Sequence, residues 1–379
     1  MCPRSIKWDT LAAMALLDGL RVVEFSRLLA APLCGLQLAH LGADVIKVES
    51  PAGDDTRHFP PYLEDADSGW FALANRGKRG VVLDLTDADA VAAARRLIAG
   101  ADIVVENLGG ALDRFGIVYE RERSPELVWC SITGLGAGRG GRAVDPSLQA
   151  RIGLMATTGE SGGPPLRVQA PTIDVLTGMY ATQAVLCALW QRERGNGGAF
   201  LDCAMLDAAA TLMGPVAVLA LGGHLEPGRI GSEGYLVAPS AIFGASDGKH
   251  VQLIAFTERQ WRAICVALRK PDWVEDARFA DNAARLANHS LLHDQLAAIL
   301  ATGTAQHWVA TIGAAGAVCE HVRDVGEAWR DPLLAERGLL TAVGLPAMSL
   351  ARTGTVAQLG RAPRLGEHTA AVLAETTLG

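Results

Sequence analysis

The chain has 379 residues, which is long enough for two lobes. Half of its residues are apolar and a fifth are charged, as is usual in globular proteins. Its formal net charge of -7 argues against a nucleic-acid-binding protein, which would carry an excess of Lys and Arg. The seven cysteines are scattered without a C-x-x-C pair, so we expect buried thiols, no metal site and a cytoplasmic location. The sequence also gives no reason to expect a membrane partner.

Strand-like and helix-like segments alternate through the first third of the chain. Strands are predicted at residues 20–25, 44–49, 81–85, 103–106 and 127–132, with helices over 32–41 and 88–99 between them. This alternation predicts an α/β protein with a doubly wound, mostly parallel sheet.

The pattern of predicted elements changes twice in the rest of the chain. After a Gly-rich stretch we predict a strand over 166–173, a long apolar helix from Leu176, a strand over 199–204 and a β-hairpin over 242–254. We assign residues 1–215 to a large domain, 216–234 to a linker, 235–315 to a small domain and 316–379 to a return of the chain to the large domain.

Asp174 stands between the predicted strand and the long apolar helix. A carboxylate there faces the positive end of the helix dipole and the free N–H groups of the first turn. We therefore expect Asp174 to stay ionised at neutral pH while partly stripped of water, a state in which it could act as a nucleophile. The alternative is that Asp174 only caps the helix.

Polar residues follow the predicted strand over 103–106. Asn107 and Arg114 lie in the loop where parallel sheets bind ligands. Arg114 could hold a phosphate, or it could be a solvated residue paired with Asp113.

Two further segments have competing interpretations. The basic cluster over 75–79, which includes Lys78, fits either a phosphate clamp or a surface turn. The glycines at 134, 136 and 138 follow a strand as in a dinucleotide-binding motif, but no amphipathic helix opens after them, which favours a flexible loop. No G-x-S-x-G motif supports a serine hydrolase.

Several segments together resemble the class III CoA-transferases, whose superfamily includes formyl-CoA transferase, the carnitine CoA-transferases and the α-methylacyl-CoA racemases. The segments are residues 17–25, 41–49, 105–107, 114–116, 174, 177–179 and 197–202. The resemblance runs from about residue 17 to 340. It implies a large Rossmann-like, CoA-binding domain built from both chain ends, a smaller α+β domain and an interlocked homodimer.

The resemblance also implies roles for six residues. Asp174 falls on the aspartate that accepts the acyl group. The positions that contact CoA fall on Leu28, through its backbone, and on Lys78, Asn107, Arg114 and Arg142. Coenzyme A and its acyl thioesters would be substrates, and no metal is implied.

The activity that the resemblance implies is transfer of CoA from an acyl-CoA to a free carboxylic acid through an aspartyl anhydride and an aspartyl-CoA thioester. An acyl-CoA racemase or isomerase and a non-catalytic CoA-binding paralogue are the alternatives. The racemases have His where this chain has Val144, and because valine cannot move a proton, this favours the transferase. For a dicarboxylic acceptor, Arg27, Arg57 and Arg151 could bind the distal carboxylate, or each could be a surface cation.

Overall fold

The computed structural model describes residues 15–63, 68–122, 124–141, 143–223, 226–340 and 357–376. The strands are β1 (Arg21–Phe25), β2 (Asp44–Glu49), β3 (Arg79–Val82), β4 (Ile103–Glu106), β5 (Val128–Thr133), β6 (Ala199–Ala204), β7 (Ser240–Gly244), β8 (His250–Ile254) and β9 (Val318–His321). The α-helices are α1 (Ala30–His40), α2 (Gly69–Asn75), α3 (Ala88–Ala99), α4 (Asp145–Arg151), α5 (Leu154–Thr157), α6 (Thr172–Gln191), α7 (Met205–Leu221), α8 (Glu258–Ala267), α9 (Asn282–Ala287), α10 (His289–Leu300), α11 (Ala305–Ala314), α12 (Val325–Ala328), α13 (Pro332–Glu336) and α14 (Thr369–Glu375).

The first six strands form one parallel sheet in the order β3-β2-β1-β4-β5-β6. The chain winds outward from β1 to β3 and then returns to the other side of β1 as β4, which pairs with it in parallel. Connections therefore leave β1 and β4 in opposite directions, and a crevice opens at their carboxyl ends, where such sheets bind ligands. The predicted doubly wound sheet is confirmed.

The predicted strand over 166–173 is wrong, because residues 166–171 form no regular element and α6 already begins at Thr172. Pro171 explains the difference. Proline has no N–H to donate to a sheet, and its fixed φ suits the start of a helix. Asp174 consequently lies inside the first turn of α6 rather than in front of it.

α6 is long and apolar because it packs on α1 and on the sheet. Gly178 marks the closest approach, since a Cβ at this position would lie 2.8 Å from both Ala30 O and Leu33 Cβ. By length and composition alone, the segment Thr172–Asn196 could also span a membrane. Its packing on α1, which is buried along its whole length, accounts for the apolar character of one side.

The opposite face of the sheet is covered by α3 and by α14. Leu97 of α3 and Val372 of α14 share one buried cluster under this face. Thr369 Oγ1 accepts a hydrogen bond from Val82 N (3.0 Å), and Glu375 pairs with Arg79 (2.6 Å). The C-terminal segment thus packs beside β3.

The chain divides into two compact units. One comprises the described residues of Met1–Gly153, Val168–Pro215 and Ala335–Gly379, and the other those of Leu154–Arg167 and Val216–Leu334.

The second unit contains the antiparallel sheet β7-β8-β9. It includes the predicted hairpin, which is confirmed with its turn at Asp247–Gly248. The unit extends beyond the predicted boundary at residue 315 because β9 pairs with β8.

Candidate active site

A cleft of about 1200 Å³ opens at the carboxyl ends of β1, β4 and β5. Its walls are the loops that follow these strands together with the first turns of α4 and α6. The main lining segments are residues 27–30, 106–114, 131–141 and 143–146, with Asp174 added from α6. The volume suits a ligand of cofactor size rather than a single small molecule.

Asp174 lies half-buried in the wall of this cleft. Among the described residues its carboxylate has no hydrogen-bond partner or ion-pair partner. Burial, and next the negative charge of Asp145, raise the pKa of Asp174 to about 7. No side chain among the described residues engages the carboxylate, which leaves it available to react.

The expectation that Asp174 stays ionised at neutral pH is not supported, because burial and the charge of Asp145 raise its pKa to about 7. The free N–H groups of the first turn do not stabilise the carboxylate of Asp174, because Asp145 Oδ2 accepts from Ile173 N (2.8 Å) and Asp174 N (3.1 Å).

The loop after β1 has a strained backbone at the cleft. Leu28 has a φ of +65°, in the left-handed region that residues with a side chain rarely adopt, and it is 39% exposed. Its N–H donates to Asp54 Oδ1 (3.2 Å), which holds this conformation. The backbone contact to CoA predicted for Leu28 would thus have to use its carbonyl oxygen.

Asn107 lines the cleft beside this loop and holds it in place. Its Oδ1 accepts from Arg27 N (2.9 Å), and its Nδ2 donates to Arg27 O (2.8 Å). The side-chain amide therefore bridges the loops after β1 and β4. A direct contact between Asn107 and CoA stays a prediction.

Two exposed cations face the cleft without ion-pair partners among the described residues. Arg114 lies in a short 3-10 helix after β4 and forms no ion pair with Asp113. Arg139 lies in the Gly-rich loop after β5 and was not predicted, although a cation among glycines at the carboxyl end of a strand could have indicated it. Arg142, which was predicted from the same segment, lies outside the described residues.

The Gly-rich loop itself is fixed at two points. Thr133 Oγ1 accepts from Gly136 N (2.9 Å), and Asp202 Oδ1 accepts from Ala137 N (2.8 Å). No helix opens directly after the glycines, since α4 begins only at Asp145. The loop interpretation of this motif is confirmed, and the dinucleotide interpretation is not supported.

The predicted contact between Lys78 and CoA is wrong, because Lys78 does not line the cleft. Its Nζ is buried and donates to Glu24 (2.8 and 3.0 Å), Pro32 O (2.8 Å) and Asn75 Oδ1 (2.9 Å). Burial lowers the pKa of Lys78 to about 8, although the Glu24 carboxylate opposes this shift. With its donors occupied, the ammonium group is a structural cation beneath the loop after β1 rather than a phosphate contact.

The three arginines considered for a dicarboxylic acceptor have separate environments. Arg57 does not fit the role, since it forms a bidentate pair with Glu49 and stacks on Phe71 at 3.6 Å. Arg27 lines the cleft and pairs with the exposed Asp55 (2.7 Å). Arg151 lies at the end of α4, in a separate recess.

Glu106 is a carboxylate of the cleft wall that sequence reasoning did not single out. It is buried at the end of β4, where it accepts hydrogen bonds from Leu108 N (2.8 Å) and from Ser131 Oγ. Burial raises the pKa of Glu106 in spite of these hydrogen bonds. Its acceptors shape the loop that carries Asn107 and Arg114. Across the described ranges, no group of three or more His, Cys, Asp or Glu side chains could hold a metal ion.

Comparisons with known proteins agree over nearly the whole chain. The family model described as CoA-transferase family III matches residues 17–369. A succinyl-CoA:mesaconate CoA-transferase of Haloarcula hispanica is 34% identical over 97% of this chain and 98% of its own length. A succinate–glutarate CoA-transferase of Agrobacterium fabrum is 34% identical over 95% of each chain. Among solved structures, a CAIB/BAIF family protein from Brucella suis superposes with a TM-score of 0.85 at 33% identity, covering 96% of this chain and 100% of that one.

Proposed function

The chain belongs to CoA-transferase family III, and on that premise we propose that it transfers CoA from an acyl-CoA thioester to a dicarboxylic acid, with Asp174 as the covalent acceptor. The observation that carries the proposal is a half-buried carboxylate without a hydrogen-bond partner among the described residues, in the wall of a cofactor-sized cleft. Relatives named for succinate, mesaconate and glutarate support acceptors with two carboxylates.

The first half-reaction would load CoA onto the protein. A carboxylate oxygen of Asp174 attacks the thioester carbonyl carbon, the C–S bond breaks, and CoA leaves as the thiolate. The product is a mixed anhydride between Asp174 and the donor acyl group. The thiolate then attacks the aspartyl carbonyl carbon, the anhydride C–O bond breaks, and the donor acid leaves as a carboxylate. Asp174 now carries CoA as an aspartyl thioester.

The second half-reaction would reverse these steps with the acceptor acid. Its carboxylate attacks the aspartyl thioester and releases thiolate, forming a second anhydride. The thiolate attacks the acceptor acyl carbon of that anhydride and frees Asp174. Each step exchanges one activated acyl bond for another, so no external energy source is required. Burial makes Asp174 more basic than an exposed aspartate, and a more basic carboxylate is the better nucleophile.

The CoA moiety would supply binding energy away from the reacting bond. Arg114 and Arg139 are cations of the cleft wall without ion-pair partners among the described residues, so they are suited to its phosphates. The loops after β1 and β4, held together by Asn107, would bind the rest of the carrier. Such remote contacts can be used to orient the thioester against Asp174.

Acyl-CoA racemisation is a second candidate because a pKa near 7 also suits a residue that transfers protons. A racemase needs a second base on the other face of the substrate. Val144, which is 53% exposed in the cleft wall, cannot serve as that base. CoA transfer is therefore the better account of this cleft.

The deciding experiment would incubate the purified protein with succinyl-CoA and a panel of free carboxylic acids and detect new CoA thioesters by mass spectrometry. We expect dicarboxylic acids to accept CoA and Asp174→Asn to abolish the transfer. Asp207→Asn is the matched control, since Asp207 is an exposed carboxylate in the first turn of α7 outside the cleft. Exchange of α-hydrogen with deuterated water in the absence of an acceptor would favour the racemase instead.

We further propose that the protein is a homodimer, interlocked as in the family it resembles. The support comes from α6, whose outer face exposes Met179, Tyr180 and Trp190 at helical spacing. This ridge also carries the polar Gln183, but large exposed apolar side chains of this kind are typical of protein interfaces. A second copy of the chain is the occupant we propose for this ridge.

A further inference from the structure

The first turn of α6, which carries Asp174, has no cap of its own. The residue before the helix is Pro171, whose side chain has no acceptor atom. The first N–H groups of any helix lack intrahelical partners, and left unpaired in a half-buried wall they would be costly. Another element must therefore satisfy them.

Asp145, the first residue of α4, satisfies two of these groups. Its Oδ2 accepts from Ile173 N at 2.8 Å and from Asp174 N at 3.1 Å. Its side chain is almost fully enclosed, with the residue 4% exposed. A carboxylate at the positive end of a helix makes strong, charge-assisted hydrogen bonds, so Asp145 caps α6 from a different helix.

Gln149, one turn further along α4, fixes the orientation of Asp145. Its Nε2 donates to Asp145 Oδ1 (2.6 Å) and to Val168 O (3.1 Å), while its Oε1 accepts from Val168 N (3.0 Å). Gln149 is itself fully buried. α4 therefore holds the chain at Val168 and again at Ile173 and Asp174 in the first turn of α6.

We infer that Asp145 is a positioning residue for the proposed reaction: by binding the N–H groups of Ile173 and Asp174 from α4, it aims the carboxylate of Asp174 into the cleft. The inference rests on the proposed function for its catalytic consequence, whereas the hydrogen bonds exist without it. Asp145 occupies the donors that Asp174 would otherwise use, so the reacting carboxylate faces the substrate and not its own helix.

Few other charged groups face this turn. The titratable or charged residues on the described elements that pack against α6 are Cys34 and His40 of α1, Cys130 of β5, Asp202 and Cys203 of β6, Asp207 of α7, Asp145 and Arg151 of α4, and Arg192, Glu193 and Arg194 of the turn that follows α6. Of these, Asp145 is the one that acts on Asp174 through its charge.

The test uses three variants on α4. Asp145→Asn removes the negative charge and one acceptor oxygen. Gln149→Met removes the hydrogen bonds to Asp145 and Val168 but keeps the charge of Asp145. Ser147→Ala is the control. Ser147 is exposed on the same helix, and among the described residues its hydroxyl bonds to the backbone of Val144 alone. The measurement is the pH profile of kcat and kcat/KM for CoA transfer.

We expect Asp145→Asn to lower kcat about tenfold or more, with KM for acyl-CoA changed less than about twofold. The acidic limb of its kcat/KM profile should move to lower pH, because a negative charge beside Asp174 has been removed. Gln149→Met should lower kcat without moving the limb, and Ser147→Ala should change neither. A merely structural residue would lower thermal stability and leave the limb in place.

A readout independent of activity separates this inference from the proposed function. The change in melting temperature caused by Asp174→Asn is measured at pH 8 with and without Asp145→Asn. We expect the effect of Asp174→Asn to be smaller in the Asp145→Asn background, because the two carboxylates repel. Equal effects in both backgrounds, or an unshifted limb with unchanged kcat, would overturn the inference. Coupling in a protein that transfers no CoA would overturn only the proposed function. If Asp145→Asn does not fold, Asp145→Glu takes its place. This variant keeps the negative charge, so the acidic limb should stay at the pH of the parent protein while kcat falls.

Discussion

At the scale of the residue, the reactivity of Asp174 is set by its surroundings. An exposed aspartate at the start of a helix would have a low pKa and a full hydration shell. Here burial and the neighbouring Asp145 raise the pKa, and the helix N–H groups are already occupied. The carboxylate thus combines partial desolvation with access to a large cleft, which is the combination that acyl transfer to a carboxylate requires.

The raised pKa predicts opposite effects on activity and stability. In the parent protein kcat/KM should rise with pH and reach half its plateau near pH 7, because the nucleophile must lose its proton. Since folding favours the protonated form of this group, ionising it costs stability, and the cost grows as pH rises from the unfolded pKa of about 4 towards 7. Asp174→Asn should therefore be inactive and yet melt several degrees higher at pH 8, with a smaller difference at pH 5. Thermal melts of both proteins across this range test the prediction, which a constant difference would contradict.

Lys78 and Arg114 should respond differently to the same truncation. Lys78→Ala leaves the buried Glu24 carboxylate without one of its partners and should destabilise the protein by roughly 3–5 kcal/mol. Arg114→Ala removes an exposed side chain and should leave the unfolding free energy unchanged while weakening CoA binding. Denaturant unfolding and calorimetric titration with CoA distinguish the two. A Lys78→Ala protein of normal stability with weakened CoA binding would restore Lys78 as a phosphate contact.

At the scale of the element, α6 positions the site because it packs closely on α1. Ala in place of Gly178 would press its Cβ against Ala30 O and Leu33 Cβ. We expect Gly178→Ala to cost about 1–3 kcal/mol and to lower kcat, because the first turn of α6 must shift. The matched control is Gly214→Ala in α7, where an added Cβ meets nothing within 4 Å and the higher helix propensity of Ala should preserve or raise stability. Equal melting temperatures for the two variants would contradict this account of the packing.

The strands with continuous apolar runs were predictable from the sequence, and the start of α6 was not. The apolar runs of β1, β2 and β4 are buried on both faces of the sheet, so their strand assignment followed directly. Residues 166–173 also contain apolar residues, but Arg167 and Gln169 interrupt them, and Pro171 has no N–H to pair with a neighbouring strand, so the chain forms a loop there instead.

At the scale of the whole molecule, the strand order locates the cleft, and long-range contacts determine its details. The reversal at β1 and β4 could be anticipated from alternating strands and helices, and with it the loops that carry Leu28, Asn107 and Arg114. The sequence could not reveal that Asp145, 29 residues before Asp174, occupies the N–H groups of that turn. Nor could it reveal that Lys78 is enclosed by residues from three separate segments.

The proposed dimer makes a prediction at this same scale. Light scattering after size exclusion should give twice the chain mass of 39.8 kDa across a wide concentration range. Trp190→Glu places a charge on the exposed ridge of α6 and should lower the mass or the stability of the particle. The control Gln183→Glu adds the same charge at an exposed polar position of that ridge, and we expect it to be tolerated better. A particle of one chain mass that retains full CoA-transfer activity would contradict the homodimer.

The central claim is that Asp174 carries CoA covalently, and trapping tests it most directly. The protein is incubated with succinyl-CoA in the absence of an acceptor and treated with hydroxylamine, which converts an aspartyl thioester to a hydroxamate and releases CoA. Peptide mass spectrometry then locates the modification. We predict a hydroxamate at Asp174 that requires succinyl-CoA and is missing from Asp174→Asn. An unmodified Asp174 in a preparation that transfers CoA at full rate would contradict the account.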